Sequence, residues 1–209
     1  MKKTLLFGLI LALMFVSSLA HAECAGTEVE AVSDGSFEAS ASGGPWAASS
    51  TNYGTPVCDV ENCGNAGGAA AAHTGNLWAW FGGAVISDET PNVQNPEVGT
   101  LSQTIDIGEG STLSFWLKAL YGETFTAADN LVVTFDGDTV FSITIGEASA
   151  YAADYVEVTV DLSTYAAGTH TLLFTSTQDT STAATSFLVD DVSVKYCEEG
   201  GEGEGEGEG

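Results

Sequence analysis

The chain contains 209 residues, of which 29 are acidic and only four are basic, so its formal net charge at pH 7 is −25. It has no arginine, and so few cations cannot neutralise a row of phosphates, which argues against nucleic acids and anionic membranes as partners. An acidic surface attracts divalent cations and also keeps a protein soluble in salt, and the composition leaves both interpretations open.

The first 22 residues have the pattern of a cleaved export signal. Two lysines precede an apolar run over residues 5–16, and a small-x-small cleavage pattern ends at Ala22. The alternative, a lipid-modified Cys24, would need a small residue where the chain has Glu23. No later segment has the roughly 20 consecutive apolar residues of a membrane-spanning helix. We therefore predict a protein that is secreted or displayed on the cell surface, without membrane insertion.

Four cysteines, an even number in a chain predicted to be exported, are interpreted first as two disulfides. Cys58 and Cys63 enclose a short loop, whereas Cys24 and Cys197 lie at the two ends of the predicted domain. Their positions favour pairing Cys58 with Cys63 and Cys24 with Cys197. The alternative is a zinc site whose ligand spacing is unfamiliar, built from Cys58, Cys63, His73 and His170.

The chain then divides into loops and strands. Residues 39–76 are rich in Gly, Ala, Ser and Asn, which predicts long loops, and 82–98 is a second irregular stretch. From residue 76 onward, apolar and polar residues alternate with period two, which predicts β-strands. Asp136-Gly137 predicts a tight hairpin, because glycine accepts a positive φ. The predicted strands are 76–81, 99–107, 111–120, 130–135, 139–145, 155–162, 169–177 and 186–194.

The alternation gives most predicted strands one apolar face. In 111–120 the inward residues are Leu113, Phe115, Leu117 and Ala119, opposite Ser114, Trp116 and Lys118. In 155–162 they are Val156, Val158, Val160 and Leu162. About eight such strands bury these faces best as two sheets packed together. The predicted fold class is therefore all-β, a two-sheet antiparallel sandwich with long loops in its N-terminal half.

Three segments follow from this pattern. Residues 1–22 are the predicted signal peptide, and residues 23–197 form the predicted domain. Residues 198–209 alternate Gly and Glu almost throughout and have nothing to bury. They predict an extended, disordered tail or spacer.

Two adjacent carboxylates, Asp190 and Asp191, interrupt the apolar sequence of the last predicted strand. Strict alternation places Asp190 on one face with Leu188, Val192 and Val194. An isolated buried carboxylate is costly unless it is protonated, paired or bound to a cation. Lysines are scarce, so Ca²⁺ is a better partner than a salt bridge. Hydrogen bonds from backbone amides are the alternative.

Several short motifs follow one another in a fixed order. They are the opening Asp34-Gly35-Ser36-Phe37-Glu38, then Trp46, SQTI, LSFWLK, AAGTHTLLF and the closing FLVDDVSV. Together they resemble the β-jelly-roll domains of exported bacterial proteins in the galactose-binding-like group, which includes many carbohydrate-binding modules. The resemblance covers residues 30 to 196 approximately. It implies a jelly roll and a structural calcium ion that ties the first strand to the last, held by Asp34, Ser36, Glu38 and Asp190, with Asp191 as a neighbour. A simple turn at Asp34 and Gly35 is the alternative.

Sugar recognition needs flat aromatic rings and polar groups for the hydroxyls. The candidate ligand-binding residues are Trp78, Trp80, Trp116 and Tyr121, with Trp46 and Tyr53 as further aromatics. Trp78 and Trp80 project from one face of a strand, either as a binding platform or as core. No catalytic triad, nucleophile elbow or phosphate loop is recognisable in the sequence.

We therefore predict a non-catalytic, exported module that binds an extracellular glycan. The alternative is a cell-surface or matrix domain with an adhesive or structural role, which binds a surface protein or has no ligand.

Overall fold

The computed structural model describes residues 24, 26–40, 44–82, 96–122, 128–179 and 184–198. The predicted signal peptide and residues 199–209 of the predicted tail lie outside the described residues. None of the helices in the described part of the chain is long and apolar enough to cross a membrane. The strands are β1 (Thr27–Glu30), β2 (Ala47–Ser50), β3 (Val57–Cys58), β4 (Trp78–Gly82), β5 (Glu97–Ile107), β6 (Thr112–Tyr121), β7 (Asn130–Phe135), β8 (Asp138–Thr144), β9 (Val156–Asp161), β10 (Gly168–Gln178) and β11 (Thr185–Glu198). They are joined by one short α-helix, α1 (Val60–Cys63), and by 3-10 helices at Ala66–Gly68 and Ile145–Tyr151.

The strands form two antiparallel sheets. One has the order β3-β4-β11-β6-β9, with β1 also paired to β11, and the other has the order β2-β5-β10-β7-β8. Apolar side chains from both sheets meet in one main core, including Leu117 of β6 and Phe174 of β10, both fully buried. The predicted all-β, two-sheet jelly-roll sandwich is confirmed.

The strong strand patterns are reproduced closely. The eight predicted strands are all present, and their ends agree within two residues except at the C-terminal end of β11. There the strand continues to Glu198, because Glu198 pairs with Thr27 of β1, so the first residue of the predicted tail belongs to the sheet. The prediction of loops throughout 39–76 is wrong at β2, β3 and α1, which are too short for a periodic pattern to indicate them.

The predicted faces are confirmed in β6 and only partly in β9. Leu113, Phe115, Leu117 and Ala119 are buried, as predicted. In β9, Val158 is buried, but Val156 is 38% exposed. The prediction for Val156 is wrong because β9 is the edge strand of its sheet, where side chains near the strand end have no neighbouring strand to cover them.

A β-bulge in β11 changes the predicted orientation of its acidic residues. Asp190 pairs with Trp116, but the next pair is Ser193 with Ser114, so β11 contains one extra residue. Asp191 occupies this position with φ 47°, a conformation that Asp tolerates better than most residues. The alternation therefore reverses, and Val192 and Val194 face the main core together with Phe187 and Val189. Their predicted placement on the face of Asp190 is wrong.

All four cysteines form disulfides in the structure. Cys24 is bonded to Cys197 and Cys58 to Cys63, which is the pairing predicted from their positions. Because no cysteine is free, a zinc site with thiolate ligands does not form. The Cys24–Cys197 bond joins the start of the domain to the end of β11.

Candidate functional site

The candidate site lies on the outer face of the β4-β11-β6 sheet, the face turned away from the main core. Leu188 of β11 lies between Trp80 of β4 and Lys118 of β6 in the strand register. A second apolar cluster covers this face, with Cys58, Ala70, Trp78 and Leu188 all buried. The chain after β3 therefore crosses the sheet and seals part of its outer surface.

Residues 69–77, here called the crossing segment, are held down by Asp190. This side chain is fully buried. Its Oδ2 accepts hydrogen bonds from the backbone N–H groups of His73 (2.7 Å) and Thr74 (3.1 Å), and its Oδ1 accepts one from the N–H of Asp191 (2.8 Å). Burial raises the pKa of Asp190 to about 7 against the opposing effect of these amides, and the neighbouring Asp191 charge adds to the rise. Backbone amides thus donate to both oxygens of the carboxylate, which are the contacts that the alternative interpretation of the sequence expected.

Two further carboxylates hold the same segment. Asp191 accepts a hydrogen bond from Thr74 Oγ1 and contacts His73 Nδ1, both at 2.6 Å. Glu38 Oε1 accepts the backbone N–H groups of Asn76 and Leu77, each at 2.7 Å. Acids from the loop after β1 and from β11 therefore converge on residues 73–77.

The crossing segment also covers Trp116, one of the predicted ligand-binding residues. The His73 ring stacks on Trp116 with 4.0 Å between ring centroids and 16° between planes. Tyr155 flanks His73, and its hydroxyl donates to the carbonyl oxygen of Ala71 at 2.8 Å. The side chain of His73 therefore covers one face of the Trp116 ring. Trp78 is also fully buried, which corresponds to the core interpretation of that residue.

Beside the crossing segment an open groove remains, with a volume of about 1180 Å³. Leu120 and Ser186 lie on its sheet side, and three aromatic residues line it: Trp80, Tyr121 and Tyr53. Trp80 stacks on the buried Trp78 with ring centroids 6.1 Å apart, so its ring is fixed in position. Trp80 and Tyr121 are thus the predicted ligand-binding residues that the fold brings together.

The loop closed by the Cys58–Cys63 disulfide forms another wall of the groove. Asp59 caps α1, because its side chain accepts hydrogen bonds from Asn62 N and Asn62 Nδ2, both at 2.7 Å. These bonds, the backbone one first, lower the pKa of Asp59. Asn62 and Asn65 line the groove with Asp59. The sequence prediction did not identify this polar wall, although the short disulfide loop within an Asn- and Gly-rich stretch is a signal for it.

Tyr53 is positioned by an acid that the sequence analysis also did not identify. Glu97 is only 2% exposed. It accepts hydrogen bonds from the backbone N–H groups of Thr51 (3.0 Å) and Asn52 (2.9 Å). These bonds fix the turn that presents Tyr53, whose exposure is 46%, to the groove.

The predicted calcium ligands lie where the opening loop meets β11. The backbone N–H of Val192 donates to the carbonyl oxygen of Gly35 at 2.9 Å, and a Cβ on Gly35 would lie 1.8 Å from the oxygen of Val192. Asp34 accepts hydrogen bonds from the N–H of Ala39 (3.0 Å) and from Ser40 Oγ (2.6 Å). The indole of Trp46, a buried aromatic of the main core, donates to the Asp34 carbonyl at 2.9 Å. The opening and closing segments are therefore in direct contact.

The donor chemistry of these residues suits calcium, because they offer carboxylate and carbonyl oxygens. Glu38 Oε2 accepts only a 3.5 Å contact from Asn76, which leaves lone pairs for a cation. Within the described ranges, no three His, Cys, Asp or Glu side chains form a ready metal cluster. A calcium ion here would thus use backbone and hydroxyl oxygens as well. Binding by Asp34, Ser36, Glu38 and Asp190 stays a prediction.

Comparison with known proteins identifies solved structures with a similar fold. No protein-family model matches the chain. No curated protein matches it in sequence. TmCBM61 in complex with β-1,4-galactotriose has a TM-score of 0.54 at 14% identity, over 81% of this chain and 99% of that one. The cleaved adhesin domain of Lys-gingipain from Porphyromonas gingivalis has a TM-score of 0.47 at 17% identity (84% and 100% covered). The CBM22-1 xylan-binding domain of Paenibacillus barcinonensis Xyn10C has a TM-score of 0.43 at 17% identity, over 86% of this chain and 100% of that one.

At 14% identity, the likeness to TmCBM61 establishes a shared jelly-roll fold and leaves the ligand of this chain open. The groove therefore has to be interpreted from its own residues.

Proposed function

We propose that this protein is an exported, non-catalytic module that binds an extracellular carbohydrate in the groove beside the crossing segment. The observation that carries the proposal is the set of three aromatic residues, Trp80, Tyr121 and Tyr53, that line one open groove. The match to a carbohydrate-binding module solved with a galactotriose adds support at the level of the fold.

The lining of the groove suits a sugar chain. Aromatic rings pack against the apolar faces of pyranose rings, and the side-chain amides of Asn62 and Asn65 can donate to and accept from hydroxyls. The volume of about 1180 Å³ exceeds the roughly 300–1000 Å³ of ordinary small-molecule pockets. The groove therefore has room for several sugar residues rather than one.

The same lining gives little support for catalysis. Glycoside hydrolysis ordinarily uses two carboxylates that face each other across the scissile bond. Among the described residues that line the groove, Asp59 is the only acid, and its oxygens cap α1. We therefore assign the groove to binding.

Two features support an extracellular location. Disulfides form and persist in oxidising compartments, and this chain has two. The N-terminal sequence has the pattern of an export signal. A structural calcium ion belongs to the same proposal: bound by oxygens of Asp34, Ser36, Glu38 and Asp190, it would tie the opening loop to β11.

A glycan screen tests the function directly. Soluble and insoluble polysaccharides are screened for binding, and the best ligand is then titrated against Tyr53→Ala and a matched control, Val156→Ala. Tyr53 and Val156 are both partly exposed, but Val156 lies on β9 outside the groove lining. We expect Tyr53→Ala to weaken binding about tenfold, equivalent to about 1.4 kcal/mol, and Val156→Ala to leave it unchanged.

Absence of binding to any glycan would contradict the proposal and would favour the adhesive or structural alternative. Unchanged binding in Tyr53→Ala as well as in Val156→Ala would place the sugar elsewhere on the molecule.

A further inference from the structure

We infer that the groove selects uncharged glycan chains and rejects chains that carry carboxylates or sulfates. The inference rests on the proposed function and adds the charge class of the ligand. It follows from the position of one ionised acid in the groove and from the placement of every basic residue that the mature chain would contain.

The first step concerns Asp59, which lines the groove. Its pKa is lowered, first by the backbone N–H of Asn62 and then by the Asn62 side chain. Asp59 therefore stays ionised at neutral pH and presents a fixed negative charge to a bound chain. A uronate or sulfate beside it would meet a like charge at short range.

The second step concerns the cations that could offset this charge. Proteins recognise carboxylates and sulfates through Arg and Lys side chains. This sequence has no Arg, and its only lysines beyond the predicted signal peptide are Lys118 and Lys195. Lys195 pairs with Glu28 at 2.6 Å, and Lys118 places its Nζ over the Tyr155 ring at 6.0 Å.

Both histidines of the domain contact acids. His73 contacts Asp191 and His170 contacts Asp136, each with 2.6 Å between nitrogen and oxygen. Neither histidine lines the groove in the described parts of the chain. The described residues that line the groove thus offer aromatic faces, amides and one carboxylate, while the whole molecule carries a large negative charge that repels polyanions before contact.

Paired polysaccharides test the inference. β-1,4-galactan, galactomannan and a mixed β-glucan are each compared with the same polymer after oxidation of its primary hydroxyls to carboxylates, by calorimetric titration in about 10 mM and in about 1 M NaCl. The Debye length is about 30 Å at the lower concentration and about 3 Å at the higher one. We expect the carboxylated form to bind at least about tenfold more weakly at the lower salt concentration, and the difference to fall to about threefold or less at the higher one.

The outcomes separate the inference from the function. Equal or tighter binding of a carboxylated form would overturn the charge selection and leave the glycan-binding function standing. A loss on carboxylation that salt does not relieve would also overturn it, because the effect would be steric. No binding in any pair, together with no hit in the polysaccharide screen, would overturn the proposed function, and the inference with it; a hit outside these three polymers is carboxylated and titrated in the same way.

A matched pair of variants identifies the responsible charge. Asp59→Asn keeps a good helix cap and removes the groove carboxylate. Glu109→Gln makes the same charge change in the turn before β6, roughly 30 Å from Tyr121 at about 3.3 Å per strand residue. In about 0.1 M NaCl, where charges are screened over about 10 Å, we expect Asp59→Asn to raise affinity for the carboxylated galactan about threefold and Glu109→Gln to have no effect. Equal effects of the two variants would assign the selection to overall charge and would contradict the role of Asp59.

Discussion

The contact between the opening loop and β11 can be tested at Gly35. A methyl group there would lie 1.8 Å from the carbonyl oxygen of Val192 and 2.9 Å from its carbon, and both are backbone atoms that cannot rotate away. The Gly35→Ala variant must therefore push the loop off the strand. The hydrogen bond from Val192 to Gly35 would be lost with that movement.

The loss in the free energy of unfolding can be estimated from these contacts. Overpacking typically costs about 1–3 kcal/mol, and the lost hydrogen bond costs about 1 kcal/mol more. The free energy of unfolding should therefore fall by about 3 kcal/mol. For a domain of this size, each kcal/mol shifts Tm by about 2–4 °C, so the expected loss is about 6–12 °C. Because Glu38 follows in the same loop, the amides of Asn76 and Leu77 should also lose protection from hydrogen exchange.

Gly110→Ala is the matched control. Gly110 has φ 71°, and no neighbouring atom lies within 4 Å of the position that an added methyl group would occupy. This variant therefore carries only the cost of a positive φ, about 1 kcal/mol. Both substitutions restrict the unfolded chain equally. Urea and thermal unfolding of the two variants would refute the reasoning if Gly35→Ala lost no more stability than Gly110→Ala.

Three further predictions concern the ions, protons and covalent bonds of the domain. Calcium at about one hundred times its Kd should stabilise the protein by about 2.7 kcal/mol over chelator, and Glu38→Gln should reduce this gain; a Tm indifferent to chelator would contradict the calcium prediction. Burial lowers the pKa of His170, but its hydrogen bonds to Asp136 and a backbone carbonyl outweigh this and raise it above 6.5. Protonated His170 should contribute on the order of 1 kcal/mol to the free energy of unfolding. This contribution should be complete below about pH 6.5 and be lost as the pH rises through the raised pKa. Over that pH range the free energy of unfolding should therefore fall more steeply for the unchanged protein than for His170→Gln, and parallel curves would exclude this role of His170. Replacing both Cys24 and Cys197 by serine should cost about 5 kcal/mol in the chain-entropy model, measured by urea unfolding; a loss below about 1 kcal/mol would show that β1 pairing alone fixes the N-terminus.

The sandwich was predictable because its long strands carry the pattern themselves. In β6, Leu113 to Ala119 alternate without a break, and burial of one face leaves a single register. Asp136 and Gly137 both have positive φ, as the predicted hairpin between β7 and β8 requires. The short strands β2 and β3 depend on partners far along the chain, which no local pattern reveals.

The candidate site was less predictable, because long-range contacts build it. Alternation cannot indicate the extra residue at Asp191, although an Asp-Asp pair within a strand is consistent with a position of positive φ. The shape of the groove depends on Glu97 holding the turn before Tyr53 and on the path of the crossing segment over the sheet. Trp80 could be identified as a candidate, but its partners in the groove could not.

The disulfide between Cys24 and Cys197 determines how the domain would respond to mechanical load. The Cα atoms of the two residues lie 5.5 Å apart, and nearly the whole described domain lies between them in sequence. Tension pulling outward on the flanking polypeptide would pass through the sulfur–sulfur bond, and the β-ladders would carry almost none of it. In an oxidising medium the domain would then not extend under tension. Reduction of the bond would expose the pairing of β1 with β11 to the force.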